Sequence, residues 1–311
     1  MSQISPVDLV GVGLNATDTL IAVPHFPERG SKVESPSVKV MPGGQVASAV
    51  VACQLWGLQT RYVGKLGDDP AAMLHRNEFS RAGVDTQIVT APGCTSHQSF
   101  ILVDADGERT VMRRQDENLV LQPTELKREW IVNARALLVD GYDTAAATRA
   151  AKWARDAGIP VIADFDEAYE NIEELIKCVD HLVVSRDFPQ KITGERDLKR
   201  SLLVLQHRFR CQITAATLGT EGVVAWDGDR FHHACAYRVS TVDTTGAGDI
   251  FHAGFIYGLL QGWPLQNQLD FACAAAALNC TAAGARGGIR PVEEIKALMT
   301  TGTRYGRASF C

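Results

Sequence analysis

The chain has 311 residues, of which 46% are hydrophobic and 22% charged, and its formal net charge is -5. This composition predicts one large globular domain or two smaller ones with a substantial buried core. The acidic balance gives no general attraction to nucleic acid, and no segment approaches the roughly 18 apolar residues that a membrane span needs. The eight cysteines form no Cys-x-x-Cys motif, so we expect reduced thiols in a cytoplasmic protein without nucleic-acid or membrane partners.

Short apolar runs alternate along the chain with amphipathic stretches. The amphipathic stretches at 47–56 and 145–157 are typical of helices. We predict strands for the apolar runs, which are 9–12, 61–63, 136–140, 161–164, 181–184, 212–218 and 223–226. This alternation predicts an α/β fold of three layers, doubly wound around a mostly parallel sheet.

Two segments depart from the alternation. Residues 21–40 are rich in Pro and Ser, and residues 99–113 alternate around the turn Asp104-Ala105-Asp106-Gly107. We expect them to pair into a small separate β-sheet, a lid formed by insertions at about 14–40 and 95–115 into a single domain that spans 1–311. The tail at 301–311 has weak periodicity, so we expect it to be loose.

The first glycine-rich motif, Gly11-Val12-Gly13-Leu14-Asn15-Ala16, fits the dinucleotide-binding pattern and follows an apolar run. An NAD-dependent dehydrogenase is therefore one candidate. A dinucleotide site needs a helix directly after its glycines, whereas Pro24 and Pro27 follow here and would prevent one. The motif is a weak indication of that class.

The segment 242–254 combines three features that phosphoryl transfer needs. Residues 246–248 have almost no side chain, so their backbone amides can approach an anion at the positive end of a helix. Asp249 follows at once, where its carboxylate could accept the proton of a substrate hydroxyl. This interpretation places a strand at 238–242 and a helix at 249–260. The alternative is an ordinary glycine-rich turn between a strand and a helix.

Three motifs carry a family resemblance along nearly the whole chain. Asp-Thr-Thr-Gly-Ala-Gly-Asp at 243–249, followed by Phe-His-Ala-Gly-Phe, is similar to the second signature of the ribokinase-like (PfkB) carbohydrate kinases. Residues 42–48 resemble the first signature, and 64–69 resemble its GxxGDD continuation. Together with 103–104 and 107–110, the motifs are nearest in pattern to the fructokinase, ketohexokinase and sulfofructose kinase branches.

The resemblance implies an ATP-dependent kinase that phosphorylates a hydroxyl, expected to be primary, of a small sugar, ketose or sugar derivative. The catalytic group it implies is Asp249 as general base with the amides of Gly246, Ala247 and Gly248. The implied substrate-binding residues are Asp18, Gly43, Gly44 and Ser48, with Gln98 and Arg113 on the lid. The implied nucleotide-binding residues are Thr217, Gly219, Gly222, Asn279 and Gly284. Without the resemblance, these positions also fit simple turns, solvated lid residues and a tightly packed core helix.

The resemblance also implies two cations. Asp243 and Thr245 match the positions that hold a monovalent cation, usually K⁺. Magnesium is expected with ATP, but Phe188 stands where many family members have a Glu that organises it. Asp187, acting through water, is our expected replacement, and Asp164 and Asp166 are the alternatives.

Alternatives within the same fold are a nucleoside kinase and, because of the missing Glu, a catalytically silent sugar-binding protein. Lid-to-lid dimers are common among similar proteins. The expected partners are therefore a sugar, ATP and a second copy of the chain bound through the lid.

Overall fold

The computed structural model describes residues 4–105 and 109–306. Its strands are β1 Val7–Val12, β2 Ala16–Ala22, β3 Ser37–Gly43, β4 Thr60–Leu66, β5 Asp85–Thr90, β6 Gln98–Val103, β7 Arg109–Arg114, β8 Ala134–Asp140, β9 Val161–Phe165, β10 His181–Ser185, β11 Ile213–Thr217, β12 Val223–Trp226 and β13 Phe231–Ala234. Its α-helices are α1 Gln45–Leu55, α2 Pro70–Ala82, α3 Thr144–Asp156, α4 Ile172–Ile176, α5 Phe188–Thr193, α6 Leu198–Phe209, α7 Ala247–Leu260, α8 Leu265–Asn279 and α9 Val292–Thr301.

Within the described residues, nine strands form one sheet in the order β13-β12-β11-β10-β9-β8-β1-β4-β5. The pairs from β11 to β5 are parallel, and β12 and β13 are antiparallel at one edge. Helices cover both faces, because α1, α7 and α8 bury one hydrophobic cluster and α3 to α6 bury another. The predicted doubly wound, mostly parallel α/β fold is confirmed.

The central strands are buried on both faces, as parallel strands between two helix layers must be. In β8, for example, Leu137, Leu138 and Val139 have no exposed surface. Each of the seven apolar runs predicted to be a strand overlaps a strand of this sheet, and the predicted helices correspond to α1 and α3.

Four strands form a second, separate sheet in the order β3-β2-β6-β7. In its centre, Asp18 of β2 is paired with Met41 of β3 and with Ser99 of β6. The predicted small sheet is thereby confirmed. The predicted turn at 104–107 and the motif at 107–110 extend into residues 106–108, which lie outside the described part of the chain.

The structure corrects the predicted strand at 238–242. The amide of Arg238 donates to Thr303 O (2.9 Å) and the amide of Val242 donates to Cys280 O (2.8 Å), so this segment bonds to loops rather than to a sheet edge. The helix that follows begins at Ala247, two residues before the predicted start.

The prediction of a loose tail was wrong for residues 301–306. Arg304 forms an isolated β-bridge with Tyr237 and an ion pair with Asp270, with 2.5 Å between Nη1 and Oδ1. Tyr305 N donates to Ala236 O at 3.0 Å. Residues 307–311 lie outside the described part. No helix among the described residues is long and apolar enough to cross a membrane.

Candidate active site

Two neighbouring cavities lie beyond the ends of the central strands. The larger, about 390 Å³, begins at the end of β11 and is lined among others by Thr217, Gly219, Thr220, Gly222, Phe251, Cys273, Ala276, Ala277 and Tyr305. The smaller, about 200 Å³, lies under the small sheet and is lined among others by Leu14, Ala16, Asp18, Gly44, Gln45, Ser99, Arg113 and Asp166. This is the carboxyl end of the parallel strands, where ligands bind in open α/β sheets.

The turn before α7 is the wall that the two cavities share. Thr244, Ala247 and Gly248 line the larger cavity. Thr245, Gly246 and Asp249 line the smaller one. Groups bound in the two cavities would therefore face each other across residues 244–249.

This turn is also the start of a helix. Gly246 precedes α7 with a positive φ of 74°, and Asp249 lies in the first turn. The amide of Ala247 donates to Thr244 O at 3.2 Å. The other amides of a first helical turn have no acceptor within the helix, and the helix dipole makes this end positive. The arrangement suits an anion placed at the larger cavity beside Gly248.

The Asp249 carboxyl is partly buried between several charged groups. Burial raises its pKa, and the negative charge of Asp18 raises it further. The charges of His252 and Arg286 and a hydrogen bond from Ser48 act in the opposite direction. A carboxyl whose pKa is raised toward neutrality is a better proton acceptor than an ordinary surface Asp.

Asp18 is 6% exposed and accepts a hydrogen bond from the Ser99 side chain. Burial raises its pKa to about 6. The glycine pair before α1 makes room for it, since a Cβ on Gly43 would lie 2.0 Å from Asp18 Oδ2. Gly44 has a φ of +92°, and its Cβ would lie 2.6 Å from Leu14 O. Only glycine therefore allows this close approach of the two chains.

Of the remaining predicted substrate-binding residues, Arg113 lines the smaller cavity, whereas Gln98 and Ser48 do not. Arg113 lines the smaller cavity, and its Nη2 donates to Glu167 Oε1 at 3.0 Å. Gln98 does not line it; the next residue along β6, Ser99, does, because successive strand residues point to opposite faces. Ser48 is fully buried, lines neither cavity and lies behind Asp249.

The predicted nucleotide residues divide into two sets. Thr217, Gly219 and Gly222 line the larger cavity. Asn279 is fully buried and lines neither cavity; its Nδ2 donates to Thr245 O (3.3 Å) and Ala285 O (3.1 Å). Gly284 is likewise absent from both linings. These last two residues hold the turn before α7 against the loop after α8.

The predicted cation ligands are engaged with protein groups. Asp243 Oδ1 accepts from the amide (2.9 Å) and the hydroxyl (2.7 Å) of Thr245, and Oδ2 accepts from Gly284 N (2.8 Å). Asp187 is exposed at the start of α5 and lines neither cavity, whereas Asp166 lines the smaller one. Among the described residues, no three His, Cys, Asp or Glu side chains are grouped so that they could hold a metal ion.

Sequence reasoning missed three residues around this site. Arg286 turns into the protein beside Ser48, and Glu78 of α2 pairs with it. His252 lies on α7, with 2.8 Å between its Nδ1 and Gly248 O and 3.1 Å between Nδ1 and Asp164 Oδ2. In the sequence, only the nearby glycines marked the position of Arg286 as unusual. For His252, the only indication was that it follows Asp249 by three positions, which places both near one face of a helix.

The fold places two neighbouring cavities on either side of the start of one helix, at one end of a mostly parallel sheet. Residues 8–291 match the family model described as pfkB family carbohydrate kinase. The chain belongs to the PfkB family of carbohydrate kinases and is an enzyme of that class, as the motifs predicted. The dehydrogenase alternative is not supported, because β2 rather than a helix follows Gly13.

Relatives act on different sugars. A 5-dehydro-2-deoxygluconokinase from Geobacillus thermodenitrificans is 24% identical over 88% of this chain and 87% of its own length. Fructokinase-2 from Solanum lycopersicum is 27% identical over 88% of this chain and 91% of its own. The structure of Arabidopsis thaliana ribokinase complexed with ribose and ATP matches with a TM-score of 0.81 and 21% identity, covering 95% of this chain and 99% of that one.

Proposed function

We propose that this carbohydrate kinase transfers the γ-phosphate of ATP to a hydroxyl, expected to be primary, of a small sugar, ketose or sugar derivative. The observation that carries the proposal is the wall that the two cavities share. With ATP in the larger cavity and the sugar in the smaller, the reacting groups would meet beside Gly248 and Asp249.

In the proposed reaction, residues of the smaller cavity bind the sugar, and the turn before α7 supplies the base and the amides for the transferring group. Asp18, with the backbone of Gly43 and Gly44, binds sugar hydroxyls and orients one of them toward the turn. Asp249 accepts its proton as the oxygen forms a bond to the γ-phosphorus, and the bond from that phosphorus to the β–γ bridging oxygen breaks, which releases ADP. The amides at the start of α7 stabilise the charge on the transferring group.

The residues of the larger cavity fit a nucleotide. Its wall is apolar along Phe251, Ala276 and Ala277, which suits a base, and the start of α7 suits the phosphates. Magnesium neutralises phosphate charge in such reactions. The residues here fit an ion held largely by phosphates and water, with Asp166, which lines the smaller cavity, or the expected Asp187, which lines neither, acting through water.

A monovalent cation held by Asp243 and Thr245 is part of the proposal through the family resemblance. Both Asp243 oxygens accept hydrogen bonds from protein donors here, so these residues fit a cation less well than the larger cavity fits ATP. Replacement of K⁺ by tetramethylammonium in the assay tests this prediction, and an unchanged rate would exclude the cation site.

We further propose that the small sheet closes over the sugar and pairs with that of a second copy. Its edge strands expose Val38 (59%), Val40 (61%), Val111 (52%) and Met112 (51%), an unusual apolar content for a free surface. Light scattering of the wild-type protein and of the Val38→Lys/Val40→Lys variant tests this. A monomeric wild-type protein would exclude the dimer. The cytoplasmic location stays a prediction.

The decisive experiment compares wild-type protein with Asp249→Asn. ADP release is measured with D-fructose, D-ribose, 5-dehydro-2-deoxygluconate and adenosine as acceptors. We expect Asp249→Asn to lower kcat by about 10²–10⁴-fold while ATP still raises the melting temperature. A wild-type rate from the variant would exclude Asp249 as the base. Preference for adenosine would favour a nucleoside kinase, and stabilisation by a sugar without ADP release would favour a silent sugar-binding protein.

A further inference from the structure

Arg286, in the loop after α8, is a buried cation that the reaction described so far does not use. Its side chain is 6% exposed, and its Nη1 forms an ion pair with Glu78 of α2. A charge is costly to bury unless its hydrogen-bonding groups are well paired. The guanidinium of Arg286 satisfies this condition by contacting three elements at once.

The three contacts converge on the sugar side of the site. Besides Glu78, Nη2 donates to Gly43 O at 2.7 Å, and Nε donates to Ser48 Oγ at 3.1 Å. Gly43 is the last residue of β3, where the small sheet joins α1. The planar fork of a guanidinium fixes the directions of its donors. Arg286 therefore sets the position of β3 relative to α1 and α2.

Ser48 connects this cation to the proposed base. Its oxygen accepts from Arg286, and its hydroxyl hydrogen-bonds the Asp249 carboxyl. A hydroxyl can accept a hydrogen bond from the guanidinium and donate its proton to the Asp249 carboxyl at the same time. The chain Arg286–Ser48–Asp249 reaches from a buried ion pair to the shared wall of the cavities.

The charge of Arg286 also acts on the carboxyls of the site. The groups that influence Asp249 are Asp18 from β2, Asp164 from β9, His252 on α7 itself and Arg286. Burial lowers the pKa of His252 below its ordinary value. Arg286 is thus the cation that persists near neutral pH, and it lowers the pKa of Asp249 and of Asp18 against the effect of burial.

We propose that Arg286 is a positioning residue for phosphoryl transfer, which orients Asp249 through Ser48 and holds the Gly43–Gly44 pair against the sugar cavity. This role rests on the proposed function, in which Asp249 is the base.

The first test needs no sugar. Hydrogen exchange is measured on wild-type protein and on Arg286→Gln, Arg286→Lys and Ser48→Ala. Loss of the guanidinium should raise exchange at 43–48 and leave 217–222, in the wall of the larger cavity, unchanged. Equal exchange at 43–48 in wild-type protein and Arg286→Gln would overturn the positioning role. This result is independent of whether Asp249 is the base.

The second test uses the acceptor from the panel above with the highest wild-type rate. We expect Arg286→Gln to lower kcat/KM by about 10²-fold. The acid limb of its profile of kcat/KM against pH should also move to higher pH, because the cation that lowers the pKa of Asp249 is lost. Arg286→Lys keeps the charge, so its acid limb should match wild type while kcat/KM remains about tenfold low. The losses in Arg286→Gln and Ser48→Ala should not add in the double variant, because both break one chain.

Two controls separate this role from simple destabilisation. Arg286→Gln/Glu78→Gln removes both charges of the pair, so that no unpaired carboxylate remains buried. Arg61→Gln/Asp85→Asn removes another ion pair of a buried arginine, with 2.6 Å between Nε and Oδ2, at the opposite ends of the strands; its Asp85 side chain is 39% exposed. If this control shifts the acid limb as Arg286→Gln does, or if the two single-variant losses add fully, the proposal is wrong. A wild-type protein without kinase activity would overturn the proposed function but leave the exchange result standing.

Discussion

The backbones of Gly246 and Ala285 touch where the turn before α7 meets the loop after α8. A Cβ on Gly246 would lie 2.3 Å from Ala285 O, and the φ of Gly246 is +74°. Asn279 closes the same junction by donating to Thr245 O and Ala285 O. The wall between the two cavities is thus held in place by the loop that carries Arg286.

Gly246 and Gly248 should respond to alanine in opposite ways. Gly246→Ala places a side chain at a positive φ and against Ala285 O, so we expect the free energy of unfolding to fall by about 2 kcal/mol. A Cβ on Gly248 meets no atom within 4 Å. Gly248→Ala should leave stability unchanged or raise it by up to about 1 kcal/mol.

Activity should nevertheless fall in Gly248→Ala, because the added methyl group would enter the larger cavity, where we propose that the transferring phosphate binds. Urea unfolding and ADP release on the same preparations measure the two effects. A Gly248→Ala protein with normal kcat would show that the phosphate does not lie against this turn.

Asp18→Asn should raise stability while it abolishes sugar binding. Burial raises the pKa of Asp18 to about 6, above the value of about 3.9 in an unfolded chain. The folded state then binds the proton more tightly, so the ionised carboxylate lowers stability as pH rises from about 4 to 6. Above that range, the full cost is on the order of 2–3 kcal/mol.

The gain from Asp18→Asn should therefore be complete above pH 6 and vanish below pH 4. Thermal unfolding of the two proteins across this range measures it. Asp229→Asn, on the exposed turn between β12 and β13, is the control for loss of one negative charge. A gain that is independent of pH would mean that ionisation of Asp18 is not its source.

The sheet was predictable because its strands are continuous apolar runs. Runs such as 136–140 and 161–164 each end in an Asp but are otherwise apolar on both faces, as burial between two helix layers requires. The turn at 246–249 was predictable for a similar reason, since two glycines separated by one alanine, directly before an apolar helix, are typical of a turn that starts a helix. Local sequence determines both features.

The contacts behind the site were not predictable in this way. Arg286 and Ser48 are 238 positions apart, and Arg286 and Glu78 are 208 apart. No local pattern indicates that a polar side chain will turn inward to meet a distant partner. Asn279 was predicted beside the nucleotide, yet its amide bonds two loop carbonyls, a choice that only tertiary packing decides.

The kinase reaction should lose activity on the acid side at a higher pH than an ordinary Asp would cause. Asp249 must be ionised to accept a proton, and burial raises its pKa. As pH falls, Asp249 is therefore protonated at a higher pH than an ordinary Asp, and kcat/KM declines well above pH 4. Rates at saturating ATP between pH 5 and 9 measure the limb. A profile that stays flat down to pH 5, or the same limb in Asp249→Asn, would contradict this assignment.

Glu167 should control whether the smaller cavity accepts an anionic sugar. Its carboxylate pairs with Arg113, and both side chains are about half exposed (49% and 42%). Since Asp18, Asp166 and Asp249 also line the cavity, neutralisation of Arg113 leaves an environment that favours a neutral acceptor. Glu167→Gln frees the guanidinium to bind a carboxylate.

We expect Glu167→Gln to lower KM for 5-dehydro-2-deoxygluconate by up to about fivefold and to change KM for D-fructose little, because solvent screens an exposed pair. The matched control is Glu173→Gln, whose partner Arg208 is equally exposed and lines neither cavity. High salt should abolish the difference between the two acceptors. If Glu167→Gln and Glu173→Gln give the same ratio of KM values at low salt, Arg113 does not contact the acceptor and the selection by charge lies elsewhere in the cavity.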